Sequence, residues 1–389
     1  MSFPRLTSIN IKGYRPFRDF TAEVGALEVL VGANGSGKSS LFEFLKFLRD
    51  GMQGEIPPSI TEGGAGQQLF HKPGPDQFSW DMLCELPPVN SISYSGELLG
   101  PIGNIKVTAE KVDLRERHGS SAAEIILNMT EAQERATTEE LKQYLDQISL
   151  KRYNRLNLGT MTSPKSGFLF ALREYIKGWM FYSSLAIAKE KIQRSTPVEQ
   201  EPELRESCGN ISSVLHYLMT EHQEIFEELQ SYLRMVVPGF QELTVKARGG
   251  PGEVIAFWRE KGVDVDLSLA DLSDGILRLL CWMVLCLHPK PPALICVDEP
   301  DQGVHPRTLS VLAGLFQKAS ERTQIFLATH SSYFLTQFDL TDVAVMKKEN
   351  GEVFFSKPKD SKVINSLLED YGTDENGYLH WSDQLETFS

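Results

Sequence analysis

The stretch Leu27-Glu28-Val29-Leu30-Val31-Gly32-Ala33-Asn34-Gly35-Ser36-Gly37-Lys38-Ser39-Ser40 decides how the rest of the chain is read. An apolar run able to form a strand leads into the pattern G-x-x-x-x-G-K-S, and a helical pattern continues over 39–49. Glycine permits dihedrals that turn successive N–H groups inward, so Asn34, Gly35, Ser36 and Gly37 can cradle phosphate oxygens. The start of the following helix adds partial positive charge. On this pattern Lys38 reaches the β- and γ-phosphates, the Ser39 hydroxyl faces Mg²⁺, and Ser40 completes the binding turn. The implied ligand is a nucleoside triphosphate. A plain glycine-rich turn between strand and helix has the same composition, so the partner motifs downstream carry the decision.

The run Ala293-Leu294-Ile295-Cys296-Val297-Asp298-Glu299 is the first of these. So apolar a strand suits the centre of a parallel sheet, and at its C-terminal end both carboxylates can line the crevice. There Asp298 would hold Mg²⁺, through water, and Glu299 would polarise the attacking water as base or orienting acceptor. Thr329-His330-Ser331 follows the next apolar run, 324–328, and places a histidine able to donate a hydrogen bond to the γ-phosphate. Leu272-Ser273-Asp274-Gly275 stands before another helix. Its Ser273 hydroxyl and Gly275 N–H can bind an anionic oxygen, and the same four residues can be an ordinary helix cap.

The bulk of the chain is compatible with such chemistry and excludes other classes. In 389 residues, 41% are hydrophobic and 23% charged, as in globular proteins with a substantial core. No apolar window approaches the roughly 18–20 residues of a membrane span, and residues 1–5 lack the apolar centre of a signal peptide. Five cysteines (Cys84, Cys208, Cys281, Cys286, Cys296) form no C-x-x-C pair. They read as reduced core thiols of a cytoplasmic protein, with neither a disulfide nor a zinc framework. A net charge of −13 argues against coating nucleic acid by charge alone, while leaving room for a local basic groove.

Strand patterns occupy 7–11, 20–24 and 27–31, and a Gly/Pro-rich loop follows over 51–75. Short alternating runs over 78–128 predict a β-layer. Helical spacing is expected over 130–148, 169–192 and 211–237, the last ending at Pro238-Gly239. Strands return at 243–247, 254–258 and 263–269, then a helix over 275–287, a strand over 293–297, a helix over 307–319 and a strand over 324–328. The phosphate loop and the late strands lie about 260 residues apart yet belong to one mainly parallel sheet, so the middle is an insertion. The expected division is an N-terminal lobe 1–128, a helical insertion 129–242 and a C-terminal lobe 243–389.

Phosphate loop, L-S-D-G, D-E-P and T-H-S, in that order around a long insertion, resemble the ABC-type ATPase heads of the SMC and RecF-like class. The chain looks most like the stand-alone predicted AAA ATPases related to the ATPase half of OLD-family proteins. Ile9-Asn10-Ile11-Lys12-Gly13-Tyr14-Arg15-Pro16-Phe17, Leu272 to Arg278, and Glu299-Pro300-Asp301-Gln302-Gly303-Val304-His305-Pro306 are similar to stretches of that group. The resemblance spans essentially the whole chain. It implies an α/β ABC-ATPase head with a P-loop parallel core sheet, an antiparallel β-layer and a helical insertion. It also implies ATP as the nucleotide, with Mg²⁺, and a head-to-tail homodimer enclosing two ATP molecules. One copy supplies Lys38, Ser39, Asp298, Glu299 and His330, and the other supplies Ser273 and Gly275; Arg15 approaches the phosphates from the turn after the first strand. The group often has glutamate where this chain has Asp301, and its coupling-glutamine loop is not clearly recognisable here, Gln67 and Gln68 being the candidates.

Two roles follow. One is a switch driving DNA or a nuclease partner, in repair or phage defence. The roughly 60 residues after His330 are too few for a nuclease domain of ordinary size, so that activity is expected from another polypeptide. The other role is a nucleotide-gated scaffold for a partner protein, with slow ATPase. A transporter ATPase fits poorly, and no run sustains the heptads of a coiled-coil rod.

Overall fold

Strand β1 (Arg5–Tyr14) buries Leu6, Ile9, Ile11 and Tyr14 and pairs antiparallel with β2 (Phe17–Glu23). The computed structural model describes residues 3–56, 69–87, 91–102, 105–115, 124–130, 133–135, 154–164, 167–185, 187, 189–192 and 194–358. The chain continues through β3 (Leu27–Val31) and α1 (Lys38–Gly51) into β4 (Gln77–Glu85), β5 (Ser91–Leu99), β6 (Lys106–Arg115), β7 (Glu124–Thr130) and β8 (Gln133–Arg135). Next come α2 (Phe168–Lys177), β9 (Trp179–Ser183), α3 (Lys189–Ile192) and β10 (Thr196–Pro197). Helices α4 (Ile211–Glu221) and α5 (Gln223–Val236) precede β11 (Phe240–Ala247), β12 (Glu253–Glu260) and β13 (Leu267–Ser268). The remaining elements are α6 (Asp274–Leu287), β14 (Leu294–Asp298), α7 (Pro306–Ser320), β15 (Gln324–Ala328), α8 (Ser332–Leu335), β16 (Val343–Glu349) and β17 (Glu352–Ser356).

Three sheets result. The β-layer is antiparallel, in the order β2-β1-β4-β5-β6-β7-β8, and a small antiparallel sheet pairs β10, β12 and β11 with β13 beside β12. The core sheet runs β17-β16-β3-β15-β14-β9, parallel throughout except for the β16–β17 hairpin. Successive strand residues point to opposite faces, and both faces of this sheet are covered. On one face Val29, Ile295, Val297, Ile325 and Leu327 join a core with α4 to α7. On the other, Leu30, Leu294, Cys296 and Phe326 join a core with α1, α2 and the β-layer. This is the mixed α/β head architecture, and the continuous apolar runs of β3, β14 and β15 follow from burial on both sides.

Helix α1 presents Leu41, Phe44, Leu45 and Leu48 at i, i+3, i+4 and i+7, all buried. Its aromatics meet the β-layer edge-on: Phe44 against Tyr14 at 5.1 Å and Phe47 against Trp80 at 5.8 Å between ring centroids. Such pairs add about 0.5–1.5 kcal/mol each beyond area burial. The β-layer therefore fixes the helix that carries Lys38. A side-chain amide joins the two sheets: Gln324 on β15 accepts from Leu6 N (2.8 Å) and donates to Leu6 O and Gly25 O (2.7 Å each).

All three helices expected in the middle of the chain differ. The helix over 169–192 is interrupted after Lys177 by Gly178 and by β9, whose register with β14 (Trp179↔Leu294 to Ser183↔Asp298) makes it a core-sheet strand. Trp179-Met180-Phe181-Tyr182 is rich in strand-favouring aromatics, and tertiary pairing outweighs the helical spacing there. The helix over 211–237 breaks at His222 into α4 and α5. In the helix expected over 130–148, residues 133–135 are strand, and 136–150 lie outside the described residues. All five cysteines are free and buried, and among the described residues no helix is long and apolar enough to cross a membrane.

Strand β3 also carries Glu28, fully buried, with both carboxylate oxygens 2.6 Å from Lys357 Nζ and one accepting from Gly25 N. Burial raises this carboxyl from 4.5 to about 7, further than Lys357 lowers it. Raised above its unfolded value, the group stabilises the fold fully below pH about 4.5, and that contribution is lost as pH rises through about 7. The fall of melting temperature between pH 5 and 8 is therefore expected to flatten in Glu28→Gln, measured by calorimetry across that range.

Candidate nucleotide-binding site

Gly37 precedes α1 at φ 103°, a left-handed conformation open to glycine, and supplies no side-chain cap; the first turn of α1 holds no acidic residue. By contrast α6, α7 and α8 are capped by Ser273, His305 and Ser331, whose side chains accept from Ile276, Arg307 and Phe334 N. The residue before α1 thus brings no side chain of its own to the helix start, and the absence of a carboxylate in the first turn keeps the partial positive charge there available to an anion. Lys38 Nζ folds onto the loop itself, donating to Gly32 O (2.6 Å), Ala33 O (3.3 Å) and Ser36 Oγ (3.4 Å). Those acceptors hold an ammonium within the loop where phosphate oxygens can replace them.

Parallel registration brings the other strand ends alongside. Ser39 Oγ donates to Asp298 Oδ2 at 3.3 Å across 259 residues of sequence. Burial raises the Asp298 carboxyl above its ordinary value, opposed by the Ser39 hydrogen bond and by the nearby charges of Lys38 and His330. Lys38, Ser39, Asp298 and exposed His330 therefore share one crevice. A hydroxyl beside a carboxylate suits a hard cation such as Mg²⁺. Among the described residues no cluster of three or more His, Cys, Asp or Glu side chains could hold a metal. A divalent ion here would take its remaining ligands from phosphate and water.

Glu299 begins the turn after β14 at φ 53°, outside the usual range for a side-chain-bearing residue. Its N–H donates to Ala328 O (2.8 Å), and its carbonyl accepts from Gln302 N (3.1 Å) and from the Ser184 hydroxyl. Thr329 Oγ1 donates to Asp301 Oδ1 at 2.6 Å, linking the D-E-P turn to the T-H-S turn. Asp301 thus has a structural partner in the next strand's turn. Ser184, at the end of β9, is a site neighbour that motif reading missed; the helix-ending Gly178 and the aromatic run after it were the available signal.

Arg15, at φ 47°, pairs with Glu43 of α1 and lies over the Tyr14 ring. It lines a cleft of about 490 Å³ with Gly35, Ser40, His71 and Lys348. Ser273 and Gly275 lie elsewhere, in a pocket of about 320 Å³ shared with Val236, Ile276, Leu279 and Val304 and with no phosphate-loop residue. Gln67 and Gln68 fall outside the described residues.

A family model described as "AAA domain, putative AbiEii toxin, Type IV TA system" matches residues 105–336, more than half of the chain. The chain belongs to this AAA-domain family. A second model, "AAA ATPase domain", matches residues 5–155. The phosphate loop falls within one match, and the L-S-D-G, D-E-P and T-H-S motifs within the other. No curated protein matches the sequence. Among solved structures, this AAA-family chain is similar to an SMC head bound to the C-terminal winged-helix domain of ScpA, at 13% identity and TM-score 0.55, covering 90% of this chain and 97% of that one. It is also similar to an SMC head with an extended coiled coil bound to the C-terminal domain of ScpA from Pyrococcus furiosus, at 12% identity and TM-score 0.50, covering 94% and 100%. At such identities the likeness is one of fold.

Gly275 packs so closely on the D-E-P turn that an added Cβ would lie 2.2 Å from Gly303 O. Gly314, inside α7, has nothing within 4 Å of such an atom. Gly275→Ala is expected to destabilise by about 1–3 kcal/mol, and Gly314→Ala to stabilise by up to about 1 kcal/mol. Denaturant melts of the two variants check the opposite signs.

Proposed function

We propose that this AAA-family ATPase is an ATP-driven switch in which two copies close over two molecules of ATP and Mg²⁺ and hydrolysis reopens them. The observation that supports this best is the separation of the two half-sites. Lys38, Ser39, Asp298 and His330 converge on one crevice, while Ser273 and Gly275 line a different pocket. A second copy turned head to tail would bring its Ser273 and Gly275 to the γ-phosphate held by the first. The phosphates rest on the amides of Asn34 to Ser39 and on Lys38, and the ribose and base leave through the cleft beside Arg15 and Ser40. Ser39 and Asp298 hold Mg²⁺, which neutralises phosphate charge. Glu299 accepts the proton of the attacking water, and His330 contacts the γ-phosphate. Closure is then a population shift driven by γ-phosphate contacts that only the ATP state makes.

What the switch drives is an effector on another polypeptide: a nuclease or DNA-handling system in repair or phage defence. A chain so acidic fits work through a protein partner better than direct coating of nucleic acid. The SMC heads of like fold were solved bound to ScpA domains, which illustrates a protein docked on such a head.

Lys38→Ala is expected to abolish nucleotide binding in equilibrium titration. Glu299→Gln should bind ATP and accumulate as a closed dimer; turnover at the wild-type rate would remove Glu299 as base. Ser273→Arg should keep ATP binding and lose dimerisation, and an intact dimer would reduce L-S-D-G to a helix cap. The deciding experiment is the mass of Glu299→Gln purified from its native cells with ATP and Mg²⁺. A heavier species with a second protein supports the effector complex, a homodimer alone supports an autonomous clamp, and an ATP-bound monomer overturns the two-copy reading.

A further inference from the structure

The guanidinium of Arg278, on the helix that opens at Ser273, is committed at two points of the Glu299 turn. Its Nε donates to Ser184 O at 3.1 Å and its Nη1 to Gln302 O at 3.0 Å. Ser184 is in turn fastened to both carboxylate residues through their backbone, its N–H donating to Asp298 O (3.2 Å) and its hydroxyl to Glu299 O. Gln302 N closes the same turn onto Glu299 O at 3.1 Å. The side-chain oxygen of Gln302, Oε1, is buried without a partner. Gly303, at φ 73°, leaves room for the guanidinium, since a Cβ there would stand 2.5 Å from Nη1.

The arrangement surrounds a residue that needs holding. A glutamate at φ 53° sits in a conformation that costs about 1–3 kcal/mol and persists when its surroundings over-determine it. Two of the three groups bonded to the Glu299 backbone, Ser184 and Gln302, are tied by the one guanidinium. Lysine, a point donor without the planar fork, serves two diverging carbonyls less well. We infer that Arg278 is a positioning residue for Glu299, fixing it through Ser184 and Gln302 and tying its placement to the helix that carries Ser273. Five helical steps, about 7.5 Å of rise, lead from Ser273 to Arg278, so the capped end and the guanidinium sit on one rigid element. Arg278 lines neither the cleft beside the phosphate loop nor the pocket of Ser273. Its action is on the turn and not on the nucleotide.

The inference rests on the reading of Glu299 as the group that activates water, and the test separates the two. Steady-state ATP hydrolysis and equilibrium ATP binding are measured on the full chain for Arg278→Ala, Arg278→Lys, Ser184→Ala, the Arg278→Ala/Ser184→Ala pair and Glu299→Gln, with thermal melts to establish folding. The expected result is a kcat at least about tenfold lower in Arg278→Ala, with Kd and KM within about threefold of wild type. Arg278→Lys should recover part of the loss, and the double variant should be no slower than its slower parent, because both act through one path. A wild-type kcat in folded Arg278→Ala, or losses that multiply in the double variant, overturns the inference; so does a loss confined to binding. Should Arg278→Ala not fold, Arg278→Lys and Ser184→Ala decide by the same kcat-against-Kd comparison. Inactive Glu299→Gln beside wild-type Arg278→Ala sinks the positioning role alone, whereas active Glu299→Gln sinks the base assignment on which it stands.

Discussion

Parallel registration of β3, β15, β14 and β9 is the constraint from which the site follows, because parallel strands deliver their C-terminal ends to one edge of the sheet. The phosphate loop leaves β3, the T-H-S turn leaves β15, the D-E-P turn leaves β14 and Ser184 leaves β9. None of these segments is near another in sequence, and the sheet alone makes them neighbours. Burial of both faces then fixes the register: a slip of one residue would exchange the helix-facing and β-layer-facing sets of every strand. The 3.3 Å contact between Ser39 and Asp298 is a consequence of that packing.

Around this edge the polar interactions fall into two groups. Lys38, Ser39, Asp298 and His330 face the crevice and are arranged for phosphate and a divalent ion. Ser184, Gln302, Thr329, Asp301 and Arg278 instead hold the turns through backbone carbonyls and one carboxylate. The second group is what a strained residue such as Glu299 needs if its side chain is to point one way. The helix capped by Ser273 meets these turns through Arg278 and through Trp282, whose Nε1 donates to Pro300 O at 3.1 Å.

Much of this was legible from residue patterns because each motif couples a side-chain requirement to an element boundary. Gly32 to Ser39 must join a strand to a helix, and it does. Ala293 to Glu299 could be only a central strand, since no amphipathic pattern interrupts its apolar run. Trp179 to Ser183 was read as helix because the preceding ten residues keep helical spacing and nothing polar marks the change; Gly178 and the aromatic run after it are the signals of the switch. The coupling of β9 to Glu299 depends on a hydroxyl and a carbonyl of Ser184, and serine at a strand end carries no spacing rule. The break at His222 likewise arises from packing of α4 and α5 and not from a proline or glycine.

The Gln324 amide has a consequence for how motion is shared. By binding both Leu6 and Gly25 it welds the first strand of the β-layer to the strand that carries the T-H-S turn, and the weld is buried. Those two sheets share one buried core with α1, so the phosphate loop and the T-H-S turn ride on a single connected frame.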